Sequence, residues 1–254
     1  MTTETLLLSI AMAAASGLVG SFAVMRRMSL AADPLSHVAL PGIGIALAHI
    51  HPIFGAVTML LFGGLLVWAL EEHTRAATET IIGVVFSAAL AIGSITTSGE
   101  DLIDALFGGA GTLSRAETVF GLTVAIAVVL FVLFARDRLV IALVSPDLAR
   151  TTGIHAGRLD LLYLEAFALT IALGLRYLGV LLMGALIIVP AATAARLARN
   201  LTGMLSLAVI IPVGCTVAGT WIGPHFHRQT GPVIILIATA IFLFSLVPRP
   251  HRRR

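Results

Sequence analysis

The chain has 254 residues, of which 58% are hydrophobic and only 11% are charged. Its mean hydropathy of +1.03 lies far above that of a soluble globular domain, so an ordinary soluble enzyme is excluded. All 16 basic residues are arginines, which excludes a phosphate-loop lysine and a Schiff-base lysine. If this protein uses ATP, another chain must bind the nucleotide.

Apolar stretches long enough to cross about 30 Å of hydrocarbon recur along the whole chain. Eight full crossings with one re-entrant segment fit almost as well as nine, because only His51-Pro52 separates the second span from the third. The sequence therefore predicts an all-α polytopic integral membrane protein with eight to nine transmembrane helices, in a single domain over residues 1–254. The nine candidate spans cover about residues 4–24, 34–50, 53–70, 80–97, 118–135, 159–175, 177–195, 201–222 and 231–248.

A stripe of small residues follows one face of the first span. Ala13, Gly17 and Ser21 recur every four residues, which is the spacing of one helix face. Small side chains let helix backbones approach closely in a membrane. We therefore expect this face to pack directly against another helix.

The segment MSLAADPLSHVALPGIGIALA, residues 28–48, combines a carboxylate and an imidazole in apolar surroundings. Asp33 and His37 are four residues apart, which puts them on one face of a helix, where they can hold a divalent transition metal. The alternative is that Asp33 simply caps a helix that begins at Pro34. Pro41 leaves the His37 carbonyl without its helical partner. We interpret the pair as part of a metal pathway.

Three later features have both a functional and a structural interpretation. Glu165, inside the sixth span, is either a pathway carboxylate or the partner of Arg158 or of a neighbouring helix, and pairing is the preferred interpretation. Pro190 predicts a kink or a break in its span. Histidines at the outer edge form either a cation-collecting rim or ordinary interfacial positions, namely His49, His51, His225 and His227.

The arginines are distributed unequally between the two sides of the predicted membrane. With nine crossings, three lie on one side (Arg115, Arg176 and Arg228) and the other 13 lie opposite. The positive-inside rule then places the amino terminus outside and the carboxyl terminus in the cytoplasm. The connection over residues 137–158 becomes cytoplasmic, and it contains a short helix that begins at Ser145 or Pro146 and ends at Gly153.

Motifs along nearly the whole chain resemble the permease subunits of bacterial zinc, manganese and iron ABC importers, and are most similar to the zinc-uptake type. The order and the spacing of these motifs both agree with the family. The motifs are RRMSLAADPLSH with the following LPG, ETIIGVVFSAALAIG at 79–93, LFGG at 106–109, SPDLARTTG at 145–153, VLLMGALIIVPAATAARLAR at 180–199 and TGPVIIL at 230–236.

The resemblance implies a non-catalytic permease in the bacterial cytoplasmic (inner) membrane. It implies a homodimer joined to cytoplasmic ATP-binding subunits and supplied by an extracytoplasmic metal-binding receptor protein. Lipid is the surrounding partner, and no nucleic acid is expected. This chain would bind no cofactor, and the transported divalent ion would be zinc or manganese, or iron.

Within that family, Asp33 and His37 match the metal-pathway positions. The coupling helix that meets the ATPase matches Pro146, Asp147, Leu148, Ala149 and Gly153, with Leu148 and Ala149 as contact residues. One segment departs from the family pattern, because HFHRQTGP at 225–232 stands where a tyrosine-rich turn is usual.

Two other classes of transporter remain open from the sequence. A permease for a metal chelate, such as haem or a siderophore, would need a wide aromatic cavity, whereas aromatic residues make up only 6% of this chain. An ion-coupled secondary transporter would need no ATPase partner. Copurification of an ATPase separates that second class from an ABC permease.

Overall fold

The computed structural model describes residues 3–47, 52–74, 76–96, 114–178, 180–226 and 228–247, and within them the protein is all-α. Each predicted span coincides with one helix, except that the second is divided into two. The helices are α1 (Thr3–Met25), α2 (Ala32–His37), α3 (Ala39–Leu47), α4 (Pro52–His73), α5 (Thr78–Thr96), α6 (Arg115–Val144), α7 (Pro146–Thr151), α8 (Ala156–Leu178), α9 (Val180–Leu197), α10 (Leu201–His225) and α11 (Thr230–Ser245).

Within the described residues, five helices are long and apolar enough to cross a membrane, namely α1, α4, α5, α6 and α10. Shorter apolar helices lie at Met183–Leu197 and Thr230–Ser245. Helix α8 has 23 residues but carries Arg158, Asp160 and Glu165. These helices confirm an all-α polytopic membrane protein, while the choice between eight and nine crossings stays a prediction.

Helix α1 is the central helix of the bundle. Its span is 72% buried, against 28% for the spans of α4 and α5, because it packs against α6, α8, α9 and α10. Gly17 lies directly on the Ala208 carbonyl of α10, and Gly20 lies on the Ile187 carbonyl of α9. Ala13 and Ser21 are fully buried. The close-packing face predicted for the first span is thus confirmed.

Within the described residues, the second predicted span is divided at Val38 into α2 and α3. The Val38 N–H bonds to the Leu35 carbonyl over three residues, which tightens the chain before α3 begins. Pro41 therefore lies in the first turn of α3, where a missing N–H has no helical partner to lose.

Helix α4 supports this interrupted segment through glycines. Gly55 and Gly42 of α3 lie backbone against backbone. About two turns further along α4, a Cβ atom at Gly63 would lie 2.6 Å from Cγ1 of Val38. Because Gly63 has no side chain, Val38 can pack directly against α4 at the point where α2 and α3 separate. Helix α9, by contrast, continues through Pro190, so a broken helix there is excluded.

Polar contacts join α1, α4 and α8 near the beginning of α8. The Arg26 guanidinium donates to Oδ1 of Asp160 at 2.6 Å and lies 4.5 Å from the centre of the Tyr163 ring. The Tyr163 hydroxyl donates to the Val19 carbonyl at 3.0 Å. Trp68 of α4 donates through Nε1 to the Gly157 carbonyl at 2.7 Å. These contacts fix the start of α8 to both neighbouring helices.

Candidate functional site

Asp33 lies in the first turn of α2 with an exposed side chain. The residue at the N-cap position is Ala31, and no side chain caps the helix, so the interpretation of Asp33 as a cap is wrong. Close packing explains the position of the backbone, because a Cβ atom at Gly184 of α9 would lie 3.1 Å from Cα of Asp33. The backbone of Asp33 thus lies against α9, while its carboxylate does not cap α2.

His37 is the last residue of α2, one helical turn after Asp33 and on the same face. Its ring lies 5.5 Å, centre to centre, from the ring of Phe86 in α5. The Nδ1 atom is buried and has no hydrogen-bond partner in the described part of the chain. The hydroxyl of Ser36 donates to the Asp33 carbonyl at 2.6 Å, which braces the turn between the two residues.

The pair supplies one carboxylate oxygen and one imidazole nitrogen, a combination that suits a borderline divalent ion. In the described ranges, no three His, Cys, Asp or Glu residues come together as a metal-holding group. Two protein ligands leave coordination positions open for water or for a ligand from outside this chain. Such an open set suits an ion in transit better than a structural ion.

Glu165 lies in the middle of α8, and its predicted pairing is wrong within the described residues. No ion pair or hydrogen bond reaches its carboxylate there, and Oε2 is buried without a partner. Arg158 is exposed two turns earlier on the same helix, about 10 Å along its axis. The nearby Asp160 pairs with Arg26 instead.

The short helix α7 begins and ends where the sequence predicts. The Ser145 hydroxyl accepts from the Leu148 N–H at 3.3 Å, and Ser145 thereby joins the end of α6 to the start of α7. At the other end, Gly153 has a φ of +76°, and the Ile154 N–H bonds to the Ala149 carbonyl at 2.9 Å. This is a glycine-terminated helix end, in which the bond from the N–H of Ile154 satisfies a carbonyl of the last turn.

The faces of α7 differ from the expectation for its contact residues. Asp147 and Leu148 are exposed, and Leu148 retains 52% of its accessible surface. Ala149 is fully buried within this chain, on the side where α7 packs against α6 and α8. The sequence prediction that Ala149 meets a partner is therefore corrected, and Ala149 instead holds α7 to the bundle.

The proposed outer histidine rim falls largely outside the described residues. Three of its four histidines lie outside the described residues, namely His49, His51 and His227. The same holds for the LFGG motif and for the acidic residues of the outer connection, Glu100, Asp101 and Asp104. His225, at the end of α10, is exposed and stacks on Trp221 at 6.2 Å with an interplanar angle of 8°. The rim stays a prediction.

Sequence reasoning missed two features that position the site. The adjacent glycines Gly63 and Gly64 face Val38 and Glu165, respectively. The contact of Trp68 with Gly157 joins α4 to the first turn of α8, the helix that follows α7 along the chain. A pair of glycines inside an apolar span was a usable signal, whereas the partner of Trp68 depends on which helices become neighbours.

Comparisons with known proteins agree over nearly the full length of the chain. The family described as the ABC 3 transport family matches residues 1–249. The manganese import system permease protein ScaB of Streptococcus gordonii is 30% identical, over 98% of this chain and 92% of that protein. The high-affinity zinc uptake system membrane protein ZnuB of Haemophilus influenzae is 29% identical, over 91% of each chain.

A solved structure has the same fold. PsaBC from Streptococcus pneumoniae in complex with Fab matches with a TM-score of 0.82 and 28% identity, over 96% of this chain and 90% of the matching chain. The names of similar relatives thus include both manganese and zinc permeases. They do not support the prediction that this chain is more similar to the zinc-uptake type than to the manganese type.

Proposed function

The chain belongs to the ABC 3 transport family, and from this premise we propose that Asp33 and His37 contact the metal ion that it carries. The protein is the multi-pass membrane permease subunit of an ATP-driven importer of manganese, zinc or iron ions, and it is not itself an enzyme. This family favours the importer over an ion-coupled secondary transporter and over a chelate permease.

One observation supports the assignment most directly. Asp33 and His37 share one face of a six-residue helix. The carboxylate is not a cap, and the buried Nδ1 atom has no partner among the described residues. Unpaired polar groups inside a membrane are costly and usually functional, so a ligand from outside the chain accounts for both.

The proposed mechanism is alternating access. ATP binding and hydrolysis on partner subunits move the permease through α7, and the ion passes Asp33 and His37 on its way inward. The exposed Asp147 and Leu148 face the ATPase, while Ala149 transmits the movement to α6 and α8. A homodimer of permeases and an extracytoplasmic receptor protein complete the proposed importer.

The experiment measures uptake into proteoliposomes that contain the permease and its ATPase, with receptor added outside. We expect ATP-dependent accumulation of manganese or zinc by the wild type. Asp33→Ala and His37→Ala should abolish it while ATPase subunits still copurify with the permease. Glu72→Gln, which changes an exposed carboxylate at the end of α4, is the matched control. Normal uptake by both Asp33→Ala and His37→Ala would overturn the metal role of this pair.

A further inference from the structure

Glu165 is half-buried with one carboxylate oxygen buried, and the proposed mechanism gives it no role. Among the described residues it has no ion pair and no hydrogen bond, although Oε2 is inaccessible to solvent. Desolvating a carboxylate without a partner is expensive, and inside a membrane it is seldom retained for packing alone. The buried Oε2 atom is therefore available to a partner from outside the described residues.

The position of Glu165 relates it to the helix that carries His37. A Cβ atom at Gly64 would lie 3.2 Å from Oε1 of Glu165, so the carboxylate lies directly on α4. The preceding residue, Gly63, receives Val38, which follows His37. Helices α2 and α8 also pack against each other. The carboxylate therefore lies beside the α2–α3 junction, at the depth of the end of α2.

Glu165 does not complete a three-ligand group with Asp33 and His37, because no such group occurs among the described residues. It is a separate position near the same junction. The glycines matter here, because a side chain at Gly64 would fill the space into which the carboxylate projects. The missing side chain at Gly64 lets Glu165 lie against α4, one residue along from the glycine that receives Val38.

We propose that Glu165 is a second cation contact on the metal pathway and that it favours Mn²⁺ over Zn²⁺. This inference rests on the proposed function of Asp33 and His37. Carboxylate oxygens suit Mn²⁺, whereas imidazole nitrogen suits Zn²⁺. Asp33 and His37 supply one ligand of each kind. A second carboxylate on the path therefore gives the pathway a preference for Mn²⁺, the ion that favours oxygen ligands.

The test compares the uptake of Mn²⁺ and Zn²⁺ by Glu165→Gln in proteoliposomes that contain the complete importer. Glutamine keeps the shape of the side chain but removes its charge. We expect Mn²⁺ uptake to fall by at least about tenfold, since loss even of a group that only supports a metal ligand typically costs that much, while Zn²⁺ uptake falls much less. Glu165→Asp, which keeps a carboxylate, should retain more of the preference for Mn²⁺ than Glu165→Gln.

The ratio of the two uptake rates is independent of how much protein folds and inserts. An equal loss of both ions, including complete loss, would assign Glu165 a structural role and overturn the proposal, as would an unchanged ratio. Glu72→Gln serves as the matched control and should leave the ratio as in the wild type. If Asp33→Ala abolishes uptake while the ratio in Glu165→Gln stays unchanged, the inference about Glu165 fails and the proposed function stands.

Discussion

The two residues of the candidate metal site are surrounded differently. The Asp33 carboxylate is exposed and does not cap the start of α2. The His37 ring, by contrast, packs against Phe86 and has a buried Nδ1 atom. Replacement of an exposed group away from such packing usually changes stability by less than about 0.5 kcal/mol. The two positions should therefore differ in stability even if they share one function.

The first prediction concerns the single and double variants of this pair. Asp33→Ala and His37→Ala should each abolish uptake, and the double variant should be little worse than either, because ligands of one site act as a unit. The measurement is the initial rate of metal uptake in proteoliposomes, with Glu72→Gln as a control that should transport normally. Additive, partial losses would contradict a shared site.

Thermal unfolding of the same variants in detergent separates loss of function from loss of fold. Asp33→Ala should melt at the wild-type temperature. His37→Ala should melt lower, because it loses the ring contact with Phe86 and leaves a space behind. A large fall in melting temperature for Asp33→Ala would show that the carboxylate supports the fold after all.

At the scale of helices, close approach through glycine determines how the bundle assembles. Gly17 of α1 meets the Ala208 carbonyl of α10, whereas a Cβ atom at Gly214, also in α10, would have no neighbour within 4 Å. Both glycines lie inside helices, so each costs the helix about the same free energy relative to alanine. Only the first is required by packing.

The second prediction uses this contrast. Gly17→Ala should destabilise the protein by about 1–3 kcal/mol or more, because a methyl group would force α1 and α10 apart. Gly214→Ala should be neutral or stabilising by up to about 1 kcal/mol from helix propensity. Unfolding of the purified permease, followed by thermal melting in one detergent, measures both. Equal melting temperatures for the two variants would contradict the packing described for α1.

The short helix α7 presents two neighbouring residues in opposite environments, and these give the third prediction. Leu148→Glu changes an exposed position, so the permease should melt normally but lose its ATPase subunits during purification. Ala149→Glu forces a charge into a fully buried position and should lower the melting temperature as well. Wild-type melting by Ala149→Glu would contradict its buried position.

Retained ATPase copurification and transport in Leu148→Glu would remove the basis for calling α7 a coupling helix. Asp147→Asn provides a milder change on the same exposed face. Ala149→Glu alone would not show whether ATPase association is lost directly or because the permease unfolds. The exposed variant Leu148→Glu therefore decides whether α7 contacts the ATPase. The matched pair therefore tests the role of the helix and its packing separately.

Local signals were sufficient to predict some elements. Ser145 and Gly153 mark the two ends of α7 because a cap and a left-handed residue act over one turn. The shared face of Asp33 and His37 likewise follows from their spacing alone. The division at Val38, the lack of a partner for Glu165 among the described residues and the burial of Ala149 depend instead on which helices become neighbours, and a single sequence does not specify those contacts.

The whole molecule has a charge asymmetry that orients it in the membrane. With nine crossings, 13 arginines fall on one side and three on the other, so we expect an external amino terminus and a cytoplasmic carboxyl terminus. The same orientation places α7 in the cytoplasm, where an ATPase can reach it. The direction of transport and the coupling mechanism therefore both depend on the sidedness of this one chain.

The fourth prediction tests that sidedness by cysteine labelling. Cys215 is buried, and Cys215→Ser removes the single native thiol. Cysteines introduced in that background at His225 and at Asp147 occupy exposed positions on opposite sides of the predicted membrane. A membrane-impermeant thiol reagent added to intact cells should label His225→Cys and leave Asp147→Cys unlabelled until the membrane is opened. The reverse pattern would place α7 outside the cell, where no ATPase could drive it, and the coupling mechanism would have to be abandoned together with the topology.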